Sequence, residues 1–143
     1  MFLKQVELFK GIEPRIIHEI SDYAEEQVFD TGQVIFKKGD FAEYLYILVE
    51  GGIDLTIEGQ VHMSFPVNKP GEVFGWSALV EPHLYTAKAE SVSKNKVLVI
   101  KGERLKETFQ KYPSEALTVM KRLAKIVATR PVGKFTLRFQ GPA

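Results

Sequence analysis

The 143 residues, 45% of them hydrophobic and 26% charged, suffice for one globular domain with a buried core. Without a cysteine the chain has no disulfide, thiolate zinc site, iron–sulfur cluster or cysteine nucleophile, and no apolar run is long enough to cross a membrane. The net charge of +1 conceals a division: residues 1–115 carry 13 basic and 18 acidic groups, whereas Lys121, Arg122, Lys125, Arg130, Lys134 and Arg138 follow with no acid among them.

Such a basic end suits nucleic acid, acidic lipid or an acidic partner. Six cations over 28 residues are not a dense run, however, and a solvated helix face whose cations suit the helix dipole is the simpler reading. The opening Met1–Gln5 lacks the basic region and apolar stretch of a secretory signal, so a cytoplasmic location is expected.

In chain order, Leu3, Val6 and Phe9 share one side of a short helix that Gly11 stops. Pro14 opens a second helix, with Ile16, Ile17, Ile20, Tyr23 and Ala24 at helical spacing. From about Glu26 to Ile100 the pattern changes to short strands between turn signals. Val34–Phe36, Tyr44–Val49, Ile53–Ile57, Val61–Phe65, Tyr85–Val92 and Val97–Ile100 are the expected strands, and their spacing points to a sandwich, barrel or jelly roll. Leu105 and Phe109 then mark a short helix ended by Pro113. Ser114 is the expected N-cap of a longer helix reaching Pro131, with Leu117, Met120, Leu123, Ala124 and Val127 as its apolar seam.

One stretch breaks the strand pattern. Pro70–Gly71–Glu72–Val73–Phe74–Gly75–Trp76–Ser77–Ala78–Leu79–Val80 reads as a turn, a strand end, a glycine and one helical turn. Backbone N–H groups at such a helix start suit an anion, although no glycine-rich nucleotide fingerprint or P-loop is present. With Leu8–Gly11, Gly32, Val34–Phe36, Lys38–Asp40, Leu45–Ile47, Val49–Gly51 and Thr86–Ala87, the stretch makes residues 8–130 resemble the cyclic-nucleotide-binding domain family, which includes catabolite-activator proteins and protein kinase A regulatory subunits.

The resemblance implies a mainly β fold with flanking helices: a double-stranded β-helix (jelly roll) over about 26–100, helices over about 2–24 and 103–130, and one domain over 1–143. It implies a non-enzymatic sensor or regulatory module. The ligand site would comprise Phe74, Gly75, Trp76, Ser77, Ala78, Leu79, Tyr85, Thr86 and Ala87. A cyclic nucleotide or another small ligand would be its bound species, and no other cofactor is expected. In family members that bind cyclic AMP, a glutamate follows the glycine matching Gly75 and holds the ribose, and an arginine precedes the residue matching Thr86 and pairs with the phosphate. Here those positions hold Trp76 and Tyr85.

A hydrogen bond to a charged group contributes roughly 1.5–3 kcal/mol, so losing both contacts is expected to weaken cyclic nucleotide binding by ~100-fold or more. Tyr85 still offers a hydroxyl and the helix start offers backbone donors, while His83 is expected to be exposed. Trp76 has two readings: it stacks on a planar ligand, lining an apolar pocket with Tyr85, or it fills the nucleotide's space and closes the roll.

Competing functions fit the residues less well. A metal-dependent cupin, another small β-roll, needs clustered histidines, and His18, His62 and His83 form no His-x-His pair. No G-x-S-x-G is present either. After Arg130, 13 residues remain, too few for a helix-turn-helix, so neither a DNA-binding domain nor direct DNA binding is expected. The family's equivalent of the last helix commonly makes the dimer contact, which implies a homodimer through residues 114–130. Phe139–Pro142 resembles a viral 3C-protease recognition site and is assigned no function.

Overall fold

The computed structural model describes residues 2–130 and 134–137. Two helical pieces, α1 (Phe2–Gln5) and α2 (Pro14–Tyr23), flank a 3-10 turn over Glu7–Phe9. The single helix expected over residues 2–10 is thus broken at Val6, whose extended backbone buries its side chain and those of Leu8 and Phe9. Pro14 occupies the first turn of α2, where its missing N–H costs nothing.

Among the described residues nine strands follow from Glu25 onward: β1 (Glu25–Phe29), β2 (Val34–Phe36), β3 (Tyr44–Glu50), β4 (Ile53–Ile57), β5 (Val61–Val67), β6 (Val73–Phe74), β7 (Lys88–Ser91), β8 (Asn95–Lys101) and β9 (Lys134–Leu137). Helices α3 (Gly102–Lys111) and α4 (Pro113–Thr129) lie between β8 and β9. The strands form two antiparallel sheets, ordered β1-β8-β3-β6 and β2-β7-β4-β5-β9. This is the expected jelly roll with helices around it.

Burial explains why β3 does not alternate in sequence. Leu45 and Ile47 face the helical layer with Ile16, Ile17, Ile20, Leu105 and Leu123, whereas Tyr46 and Leu48 face the roll interior with Phe36, Phe74 and Val97. Both faces of this sheet are covered, so the strand is apolar throughout. β4 instead alternates, as its half-covered sheet requires. Pro66, inside β5, pairs with Asp54 beyond the stretch that meets β9, a position where no ladder N–H is needed on the outer side.

Three local expectations are corrected. The strand expected over Tyr85–Val92 is only Lys88–Ser91. Tyr85 instead exchanges backbone hydrogen bonds with the Gly39–Asp40 turn, accepting from Gly39 N at 2.8 Å and donating to Asp40 O at 2.9 Å. α4 starts two residues early, with Tyr112 as its N-cap and Pro113 at the first helical position, so Ser114 is not the cap. Finally, the apolar seam of α4 divides. Val119 and Leu123 are buried in the core, while Leu117, Ala124 and Val127 are exposed. Residues 139–142 lie outside the described residues.

Candidate functional site

The site begins where β6 ends. Gly75 sits at φ 75°, in the left-handed region, and a Cβ there would lie 2.9 Å from Tyr46 Cδ2 and 3.2 Å from Tyr44 O. Both the backbone angle and the close approach require glycine. Behind it Trp76–Leu79 form one 3-10 turn, whose Ala78 packs against the start of α3. A Cβ at Gly102 would approach Ala78 O to 2.6 Å, so a second glycine lets the turn and helix meet.

Of the nine expected site residues, Gly75, Trp76, Ser77, Tyr85, Thr86 and Ala87 come together, joined by Phe36 and Leu55. They enclose a gap of only about 30 Å³, and none of them is charged. Phe74, Ala78 and Leu79 are not on this gap. Phe74 stacks on Tyr46 with centroids 5.0 Å apart, Ala78 is buried in the roll core, and Leu79 packs toward the helical layer.

Tyr85 closes the site. Its ring lies parallel to Phe36, 3.7 Å between centroids and 11° between planes. Its hydroxyl donates to Tyr44 O at 2.7 Å and accepts from Tyr44 N at 3.3 Å. The hydroxyl expected to be on offer to a ligand is therefore committed to backbone. Burial pushes the Tyr85 hydroxyl up to about 12, opposed by the hydrogen bonds to Tyr44 and Tyr46. Burial likewise raises Tyr46. Tyr85, Phe36, Tyr46 and Phe74 thus pack the roll interior beneath the Gly75 turn, and Trp76 borders the gap they leave.

Trp76 is half-buried and turns to the helical layer instead. Arg130, the residue that ends α4, lays its guanidinium 4.7 Å above the indole centroid and donates from Nη2 to the Val73 carbonyl of β6. Its Nη1 is buried without a hydrogen-bond partner among the described residues. Burial holds the guanidinium below its ordinary pKa, and the charge of Glu72 acts in the opposite direction. Nothing in the spacing of residues 70–89 signals that Arg130 belongs beside Trp76.

On that same side a groove of about 510 Å³ runs between the cassette and α4, walled by Trp76, Val80 and Leu84 and by Met120, Ala124 and Val127. Trp76, Ser77 and Thr86 of the expected site line this groove as well as the gap, whereas Tyr85 lines the gap alone, so the space that Trp76 and Tyr85 share is the one of about 30 Å³. His83, expected to be exposed, is half-buried with Nδ1 3.2 Å from Ser77 O. Among the described residues, no group of three or more His, Cys, Asp or Glu is placed to hold a metal ion, and no helix is long and apolar enough to cross a membrane.

The cyclic nucleotide-binding domain profile matches residues 26–112, more than half of the chain. The cAMP-dependent protein kinase regulatory subunit of Blastocladiella emersonii is 30% identical over 131 aligned positions, covering 80% of this chain and 32% of the subunit. The cyclic AMP receptor protein of Thermus thermophilus is 26% identical over 125 positions, covering 86% of this chain and 58% of the receptor. The chain thus spans about a third of the first relative and little more than half of the second. A solved Geobacter metallireducens GS-15 protein, described as cyclic nucleotide-binding, superposes with a TM-score of 0.80 at 31% identity, covering 90% of this chain and 94% of that one.

Proposed function

This chain belongs to the cyclic nucleotide-binding domain family, and from that premise we propose that it is a non-catalytic regulatory module whose roll has weakened affinity for cyclic nucleotides and whose output surface is α4. The observation that carries this reading is Tyr85, stacked on Phe36 and bonded to the Tyr44 backbone in the space beneath the Gly75 turn. Small-molecule pockets run to roughly 300–1,000 Å³. The gap beside Tyr85 is about 30 Å³, and the neighbouring groove of about 510 Å³, which Trp76, Ser77 and Thr86 also line, brings a phosphate no cation and only the acid Glu81 among the described residues. Admitting a nucleotide into the gap requires expelling the ring, which forfeits a stacked pair of about 0.5–1.5 kcal/mol and a hydrogen bond of similar size. The phosphate would then meet no arginine at position 85 and the ribose no glutamate at position 76.

Trp76 is the single tryptophan, so its emission reports directly on the cassette. Titration with cyclic AMP and cyclic GMP is expected to leave that emission without saturable change up to millimolar ligand. Saturation at micromolar concentration in fluorescence and calorimetry overturns the reading.

For the output surface we propose a two-fold homodimer. Leu117, Met120, Ala124 and Val127 follow the 3-4-3 spacing of a helix-packing seam beside the buried Val119–Leu123 face, with Met120 also touching the core. Leu117 is 57% exposed and Val127 43%. Light scattering at tens of micromolar is expected to give twice the chain mass, and Leu117→Glu with Val127→Glu is expected to halve it. A monomeric wild-type chain overturns the dimer while leaving the closed roll standing.

A further inference from the structure

We infer that Trp76 and Arg130 form an intramolecular latch that holds the last turns of α4 against the cassette with no ligand present. The inference bears on the proposed output helix, but its contacts stand whether or not the chain dimerises. Arg130 follows Thr129, the last helical residue, and has extended backbone at φ −64° and ψ 126°. Its side chain touches both sides of the Gly75 turn: the guanidinium covers the indole immediately after the glycine, and Nη2 donates to the Val73 carbonyl before it.

One planar group meets both demands because a guanidinium stacks through its face and donates in its plane, which an ammonium does not. Tryptophan offers the strongest ring for a cation. The arrangement also has a cost. Nη1 is buried with no partner among the described residues, although an arginine at a helix end is free to keep its nitrogens in water. A cation retained there is held by its contacts.

The rest of the helix is tied elsewhere. The Arg122 guanidinium donates to the Leu8 and Lys10 carbonyls, anchoring the middle of α4 to the N-terminal segment. The final turns depend on Ile126, packed against the core, and on Arg130. Where the family pattern places a ribose-binding glutamate, this chain places the indole that receives the helix end. α4 is therefore docked on the cassette from within the protein, and Val127 faces Val80 and Leu84 across the groove.

Hydrogen exchange measured by mass spectrometry on the full chain tests the latch. In Arg130→Ala, amides of residues 124–129 are expected to exchange at least about ten times faster, with α3 and β3 unchanged. Arg130→Lys keeps the charge but loses the simultaneous stack and donation, and an acceleration of about threefold or more is expected. Trp76→Phe keeps an aromatic side chain and is expected to act in the same direction. Rates within twofold of wild type in Arg130→Ala and Trp76→Phe overturn the latch. If circular dichroism shows Arg130→Ala unfolded, Arg130→Lys decides by the same criterion. Repeating the series in a Leu117→Glu background separates the latch from the dimer: the accelerations are expected to persist there, and their disappearance assigns the effect to the subunit contact and overturns the latch.

Discussion

The turn from Gly75 to Leu79 separates two spaces that differ in opposite ways from what its sequence suggests. On the roll side it meets packed rings and a gap of about 30 Å³. On the α4 side it borders a groove of about 510 Å³. The turn itself is the same for both, with a left-handed glycine and a single 3-10 turn. Backbone geometry and ligand chemistry are therefore separable here. The turn is set by Gly75, Ala78 and Gly102, while Tyr85 packs against Phe36 on the roll side and Trp76 receives Arg130 on the other. Each aromatic replacement has found a partner inside the protein: Phe36 and Tyr44 for Tyr85, Arg130 for Trp76.

The comparison breaks most sharply if the roll side can be reopened. Trp76→Glu combined with Tyr85→Arg supplies both missing partners and removes the ring. Calorimetry is expected to show cyclic AMP bound at least about 100-fold more tightly than by wild type, about 2.7 kcal/mol. Affinity as weak as wild type in a folded double variant means that the 30 Å³ gap is closed by more than Tyr85.

Next in size is the turn shared by the two spaces. Gly75→Ala forces a side chain into the left-handed region, at roughly 1–2 kcal/mol, and drives Cβ against Tyr46 and the Tyr44 carbonyl. A loss of about 2 kcal/mol in urea unfolding is expected. A neutral substitution would show that the turn relaxes without penalty and does not define the boundary.

Much of this fold is legible in residue order, because the strands between Val34 and Ile100 are bounded by glycine turns and the cassette has a specific spacing. Two kinds of information are not. Contacts across long sequence separations leave no periodic trace, so neither Arg130 above Trp76 nor the Tyr44 backbone beneath Tyr85 is visible in a local pattern. Local propensity also yields to tertiary demands. Tyr85–Ala87 looks like strand, but the hydrogen bonds of Tyr85 go to the Gly39–Asp40 turn, which brings its ring onto Phe36. The α4 seam misleads for a related reason: one helix carries two apolar faces, and sequence alone merges Leu123 with Leu117 and Val127.

The smallest expected effect isolates the Tyr85 hydroxyl from its ring. Tyr85→Phe keeps the stack on Phe36 but leaves the Tyr44 carbonyl without its 2.7 Å donor, so about 1 kcal/mol of stability is expected to be lost near neutral pH. The same hydroxyl carries a pH dependence. Its folded pKa of about 12 lies above the ordinary tyrosine value of about 10 in the unfolded chain, because burial disfavours the phenolate. The folded protein therefore holds the proton more tightly, and this contribution is fully present below about pH 10. It is lost as pH rises from there through 12. Tyr23, also pushed up to about 12, and Tyr46 add to the fall, so the variant should still lose stability in alkali but along a shallower slope. Identical slopes in wild type and Tyr85→Phe would mean that the hydroxyl ionises in the folded roll as it does in water. The gap beneath Gly75 would then be wet rather than closed.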